Sequence, residues 1–422
     1  MHQENTYSYT IAILFMITNG LTASMSITLS PLSNILKQYY SASDFQIYYI
    51  NSTGAFFFII FNILANYVID KFGPRRSIQI CLIIEILGCF MRTIKSDDVF
   101  FMGLGQSLIG IGNPFVTNSL SKVSNQWFTP QKRVKMTSIM SSSYMFGLSF
   151  GFLLTSMVWS VEVSEDAQSV RNKMDTLLLL NFFICFLLAL PVILLFKEKP
   201  EYAPSPSASA SRESFISGLY ILKNKNYLFL FLAFSIALAN FFSVVSMIYI
   251  VLAPFGFDET QCSTIGLIIN IFAGLSKICV GYIAGKYMSI KNLIMLNFVF
   301  KILAVIIFLL CVGPGIAIYF ASAILGFFIQ MYWGPAFEFS CELVFPVSES
   351  HANGFLVVGG FLGGLFSNLM VDKFFTSQVN PNIFFVYLIL TYILAIVFIY
   401  LIDNKNHRED YERSEMQKLE LL

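Results

Sequence analysis

KEKPEYAPSPSASASRESFISGLYILKNK, residues 197–225, decides how this chain folds. It is the only long polar segment lying between apolar runs, and it holds Pro200, Pro204 and Pro206 with an alternating Ser/Ala run from Ser205 to Ser211. Such a composition has too few apolar groups to build a core and reads as a flexible tether. On both sides of it the chain is strongly apolar. Hydrophobic residues make up 56% of the 422 and charged residues 12%, against about 25% charged in ordinary soluble domains. That deficit excludes a single water-soluble core and points to a membrane protein.

Working outward from the linker, the charges serve as rulers, because a helix needs about 20 apolar residues to cross a bilayer. Charge-free stretches at 5–36, 45–69, 99–121, 136–161 and 176–196 precede it, and stretches at 226–257, 350–371 and 374–402 follow. Four more spans arise if an intramembrane charge is admitted in three of them: 77–94 with Glu85 and with Arg92 at its outer edge, 260–285 with Lys277, and 292–312 with Lys301; the fourth, 316–342, begins after the breaker Gly313-Pro314-Gly315 and ends near Glu338 and Glu342. The expectation is an all-α polytopic protein of twelve spans in two six-helix bundles. Residues 1–196 form the first bundle, 197–225 the linker, 226–403 the second bundle and 404–422 a tail. The first apolar run is too long for a signal peptide and is expected to remain as a span.

Eighteen of the 26 Lys and Arg fall on the linker side of the bilayer and six on the other, with Lys277 and Lys301 inside spans. Positive charge accumulates on the cytoplasmic side, so linker and both termini are expected there, in the plasma membrane or an internal organelle membrane. A net charge of +1 gives no reason to expect nucleic acid. The seven cysteines form no CxxC, and they read as buried, inert thiols rather than as a disulfide or metal framework. No HExxH or Walker loop occurs. The reading is therefore a non-enzyme with no catalytic residue, metal or cofactor, whose partners are a small molecule and the lipid bilayer, acting as a monomer.

Polar residues inside the spans form stripes. Asn19, Thr22, Ser26 and Ser30 share one face of the first span, and Gln106, Gly110, Asn113 and Thr117 one face of the fourth. Asn240 and Ser243 stand beside Phe241 and Phe242 in the seventh, and Gln330, Tyr332 and Trp333 mark the tenth. Ser26, Thr22, Gln106, Asn113, Asn240, Phe242, Gln330 and Trp333 are the expected solute contacts. The same residue types also join helix to helix in membranes, so lining and packing compete as readings. Glu85, Lys277 and Lys301 are functional candidates by their position in the membrane. Internal pairing competes for all three, proton coupling for Glu85, and solute contact for Lys277.

The loop after the second span reads Asp70-Lys71-Phe72-Gly73-Pro74-Arg75-Arg76, and the second half has Gly281-Tyr282-Ile283-Ala284-Gly285-Lys286 in its place. Asp70, Gly73, Arg75 and Arg76 are expected in gating. So are Glu338 and Glu342, i and i+4 at the end of the tenth span, which with Glu349 face the bases Arg75, Arg76, Arg133 and Lys135. Pro114, Gly334 and Pro335 permit bends within their spans.

The first of these loops resembles the major facilitator signature D-[RK]-x-G-x-R. Gly105-Gln106, Asn113-Pro114-Phe115 and Trp127-Phe128-Thr129-Pro130 with Arg133 further resemble the FLVCR-type family, the feline leukaemia virus subgroup C receptor-related carriers. Gly326-Phe327-Phe328, Phe337-Glu338-Phe339, Glu342-Leu343, Pro346 and Ser348-Glu349 are similar to that family's tenth span. The resemblance runs from about residue 15 to 375 and implies alternating access between two bundles. It also implies a small amine such as choline, ethanolamine or a B6 vitamer, with haem proposed as well. Against the family's choline cage, Ser26 replaces a tryptophan, Phe242 a tyrosine, Asn113 a glutamine, and Phe361 or Gly360 a second glutamine. The expected function is facilitative transport of a small amine or neutral polar metabolite. The alternatives are an organic anion or haem carrier using Lys277, and a non-transporting receptor or sensor on the same scaffold.

Overall fold

The computed structural model describes residues 6–159, 167–213, 215–284, 287–313, 315–375, 382–403 and 407–420. Among them, nine helical stretches are long and apolar enough to cross a bilayer. One, Phe45–Ile94, is 50 residues long and holds the second and third spans. The helices Pro130–Val158 and Glu349–Phe375 supply the fifth and eleventh spans, which brings the total to twelve. The remaining spans are Tyr7–Ile27, Val99–Thr117, Ala167–Leu195, Lys225–Leu252, Glu259–Ile283, Ile290–Leu310, a divided tenth (Ala317–Ile329 and Trp333–Val344) and Asn382–Tyr400. A helix satisfies its interior backbone polar groups within its own segment, which is what a lipid surround requires.

Local signals set the helix ends. Ser43 and Gln46 form a capping box at the start of the second span, as Asp258 and Gln261 do at the eighth, each satisfying two otherwise orphaned amides. Asp98 accepts from the Phe100 amide at 2.9 Å to begin the fourth. Burial follows the order of spans. In the most apolar window, 61% of the first span, 72% of the fourth and 56% each of the seventh and tenth lie inside the protein. The sixth and twelfth bury only 33% and present Leu187, Leu194, Leu390 and Tyr400 outward, as lipid-facing helices do.

Two compact units emerge. One contains Thr6–Ser119 with Ser143–Glu198. The other contains Lys199–Leu422 together with Leu120–Ser142, which comprises the short helix Leu120–Trp127 and the first part of the fifth-span helix Pro130–Val158. The physical reason is a set of hydrogen bonds that tie this segment to the linker, the tenth span and the tail, described below. The tail itself is a helix, His407–Glu420.

Two expectations need correcting. The linker is not merely a loose tether: Ser205 and Ser207 are 6% and 0% exposed, because their hydroxyls satisfy charges buried beside them. Nor are all the cysteines buried. Cys279 is exposed and Cys311 half-exposed, while the other five are buried. Gly285, Lys286 and Pro314 lie outside the described residues.

Candidate functional site: two polar seams and a charged cluster

In the first unit the Asp70–Arg76 loop closes on Glu198. Gly73 has φ 83° and ψ 169°, a conformation that favours glycine. The Arg75 amide donates to Glu198 Oε2 at 2.9 Å. A Cβ on Gly73 would lie 1.8 Å from Glu198 Oε1. Glu198, the acid that completes this turn, was not among the expected gate residues; it stands at the very start of the linker, where a Lys-Glu-Lys run reads as ordinary solvated charge.

The polar stripe of the first span is largely turned into packing. Asn19 Nδ2 donates to Ser143 Oγ at 2.9 Å. Thr22 is fully buried, donates to the Thr18 carbonyl at 3.1 Å and lies 3.8 Å from Cys81 Sγ. Gln106 is held at both ends: its Nε2 donates to the Ser26 carbonyl at 2.6 Å, and its Oε1 accepts from Arg92. Arg92, expected near the outer edge of its span, is fully buried and also donates to the Met25 carbonyl at 3.1 Å. Asn113 accepts from Thr117 Oγ1 at 2.9 Å and is bonded to Tyr144. Ser26 alone of the expected contacts in this unit is half-exposed. Glu85 is fully buried, with Cys81 Sγ 3.5 Å from its Oε1.

In the second unit Asn240 donates to Thr391 Oγ1 at 2.8 Å, so its amide is turned to the twelfth span. Phe242 is half-buried and stacks on Phe361, with centroids 5.2 Å apart and planes 22° from parallel. The tenth span breaks at residues 330–332. At that break Gln330 is fully buried, and neither atom of its amide meets a partner among the described residues. Trp333 packs against Phe234 at 5.2 Å and Phe337 at 5.3 Å, and the Lys277 ammonium lies 4.6 Å from its ring centre. Gly326 sets this register: a Cβ there would lie 2.4 Å from the Ile269 carbonyl. The eighth and tenth spans thus meet backbone to side, and two turns further on Lys277 reaches Trp333. Lys301 is fully buried against the rings of Tyr332 at 3.7 Å, Phe298 at 4.4 Å and Tyr392 at 5.5 Å. Among the described residues, aromatic faces rather than a carboxylate hold it.

At the linker face of this unit the charges converge. Arg408 of the tail helix donates to Glu338 Oε2 at 2.7 Å and through Nε to Glu342 Oε1 at 2.8 Å. Thr137 donates to the other Glu338 oxygen at 2.6 Å. Arg133 pairs with Glu412 at 3.0 Å and donates to Ser205 at 2.8 Å. Glu349 accepts from Arg212 and from Asn125 at 2.8 Å, and Ser207 donates to Glu412. Burial pulls the Arg408 guanidinium down, but Glu342 and Glu338 outweigh it and hold the group well above its ordinary value.

The acids Glu338, Glu342 and Glu349 therefore do meet bases, but within this unit those bases are Arg408 and Arg212. Arg133 turns to Glu412, and Lys135 lies over the Tyr282 ring at 3.8 Å. The tail carried a signal for this: Arg408 and Glu412 are i and i+4 on one helical face.

Residues 12–367 match the Major Facilitator Superfamily. The chain is 23% identical to the choline/ethanolamine transporter FLVCR1 of Felis catus over 419 residues, covering 95% of this chain and 74% of that protein. It is 22% identical to the choline/ethanolamine transporter FLVCR2 of Homo sapiens, covering 83% of this chain and 69% of that one. Among solved structures, the crystal structure of the E. coli fucose:proton symporter FucP superposes with a TM-score of 0.71 at 14% identity, over 93% of this chain and 99% of that one.

Proposed function

This chain belongs to the Major Facilitator Superfamily, within which it is similar to FLVCR-type carriers, and from that premise we propose that it moves a small organic solute across a membrane by alternating access and facilitated diffusion. The solute is a small amine or a neutral polar metabolite. The observation that supports this most is the likeness, over nearly the whole chain, to proteins named for choline and ethanolamine transport. The aromatic faces of Phe242, Phe361 and Trp333 add surfaces on which an organic cation gains favourable contact.

In this reading Ser26 and Asn113 in the first unit, and Phe242, Gln330 and Trp333 in the second, contact the solute. Gln106 and Thr22 hold helices together, since their polar groups already have partners, and the Asn240 Nδ2 is spent on Thr391 of the twelfth span. The cytoplasmic face is closed by the cluster of Glu338, Glu342, Glu349, Arg408, Arg212 and Arg133, with Asp70, Gly73, Arg75 and Arg76 forming the corresponding turn in the first unit.

The test is uptake into cells expressing the chain, beside empty vector, of labelled choline, ethanolamine, pyridoxine, glycine and glycine betaine. Saturable uptake of at least one is expected, with Asn113→Ala lowering it about tenfold, the worth of one buried hydrogen bond to a charged group. Unchanged uptake in the variant removes Asn113 from the site. Stabilisation of the purified protein by a solute that is never accumulated would support a receptor instead.

A further inference from the structure

Four buried charges at the linker face, Arg408, Glu338, Arg133 and Glu349, are paired with opposite charge. Lys301 is enclosed by three aromatic rings. Lys277 has neither arrangement. It is 1% exposed, and its contacts among the described residues are the single face of Trp333 and the Ser141 carbonyl at 3.5 Å, the outer limit of a hydrogen bond. An ammonium has three N–H donors, and leaving a buried charge so thinly served is costly.

Two more unspent groups lie close by. Gln330, one turn before Trp333, is fully buried with neither amide atom partnered among the described residues. Ser138 is fully buried, its hydroxyl likewise unpartnered, and a Cβ on Gly334 would lie 2.2 Å from it. The half-helix Trp333–Val344 begins at this depth, and a helix start favours negative charge. A cation, an amide, a hydroxyl and an indole face thus gather where the tenth span breaks.

We propose that this cluster holds a carboxylate of the transported solute, with Lys277 as its counter-ion, Gln330 and Ser138 as further donors, and Trp333 covering the adjoining carbon frame. The inference rests on the carrier reading and narrows its solute to a zwitterion: an amine that also carries one carboxylate. One carboxylate cancels one ammonium and can accept up to four hydrogen bonds. A dianion would leave a charge uncompensated. A plain amine alcohol would bring a second positive charge toward Lys277 and leave its donors unmet.

Two matched pairs test this: choline against glycine betaine, and ethanolamine against glycine, each pair differing only by an alcohol exchanged for a carboxylate. Uptake is measured for the full chain, Lys277→Met and Lys277→Arg, with yield and melting temperature taken for each. The carboxylate member of a pair should be preferred about tenfold, the worth of one charge-assisted hydrogen bond. Lys277→Met should abolish or invert that preference, and Lys277→Arg should retain much of it. A purely structural lysine would change rate or yield but not the ratio within a pair. Uptake of the alcohols alone, unchanged in ratio by Lys277→Met, overturns the carboxylate site and leaves the carrier reading standing. Uptake of pyridoxine alone does the same. Uptake of none of the panel by protein of normal yield and melting temperature overturns both.

Discussion

At Gly73 the backbone occupies φ 83°, ψ 169°, a region nearly closed to residues with a Cβ at a cost of order 1–3 kcal/mol. Glu198 sits where that Cβ would go, and although its carboxylate can swing aside, doing so gives up the hydrogen bond from the Arg75 amide. Gly73→Ala should therefore lower the melting temperature of the detergent-solubilised protein and reduce uptake several-fold. An Ala variant that melts and transports like the parent would show the turn to be tolerant. The glycine was legible in the sequence, because only a residue without Cβ suits so abrupt a turn between two spans. Its partner was not, because nothing local connects residue 73 to residue 198. The polar stripes show a similar limit. Gln106 and Asn113 share a helical face, yet one is clamped between Arg92 and the Ser26 carbonyl. Spacing along a helix tells which residues share a face but not what that face meets.

The tail helix His407–Glu420 is strongly polar, and hydropathy alone would leave it in water. Instead Arg408 and Glu412 are 2% and 5% exposed, and Arg408 bridges two carboxylates of the tenth span. Removing one member of a buried ion pair is expensive, about 3–5 kcal/mol, while removing both together is much less so. Arg408→Met should thus lower the melting temperature, and adding Glu338→Gln to it should recover part of the loss; additive losses would show the two groups to be uncoupled. If the cluster closes the cytoplasmic face, Arg408→Met should also leave a cysteine introduced beside it more reactive to a soluble maleimide applied from the cytoplasm. The twelve spans and the six-plus-six division were readable because apolar length and charge spacing report directly on crossing a bilayer. The docking of tail and linker was not, since it depends on which buried acids lack nearer bases.

For the molecule as a whole, the bias of basic residues toward the linker side predicts orientation. A tag placed after Leu422 should bind antibody only once cells are permeabilised, and one placed between the first and second spans should bind in intact cells. The reverse pattern would invert the assignment of inner and outer faces. The number of spans follows from apolar length and charge spacing, whereas the family rests on the match over residues 12–367, because a lipid environment constrains helix number far more than it constrains the side chains at any one site.

Arg133 and Glu412 are separated by 279 positions along the chain, and Asn125 and Glu349 by 224. During synthesis the arginine is inserted long before its carboxylate exists. Because chains are made from the N-terminus at roughly 5–20 residues per second, Asn125 and Arg133 wait many seconds for these contacts. A nascent chain halted short of the tail would keep Arg133, Glu338 and Glu342 without the partners that Glu412 and Arg408 bring. The charged cluster is in this sense a late assembly, closed only once Arg408 and Glu412 have been added to the chain.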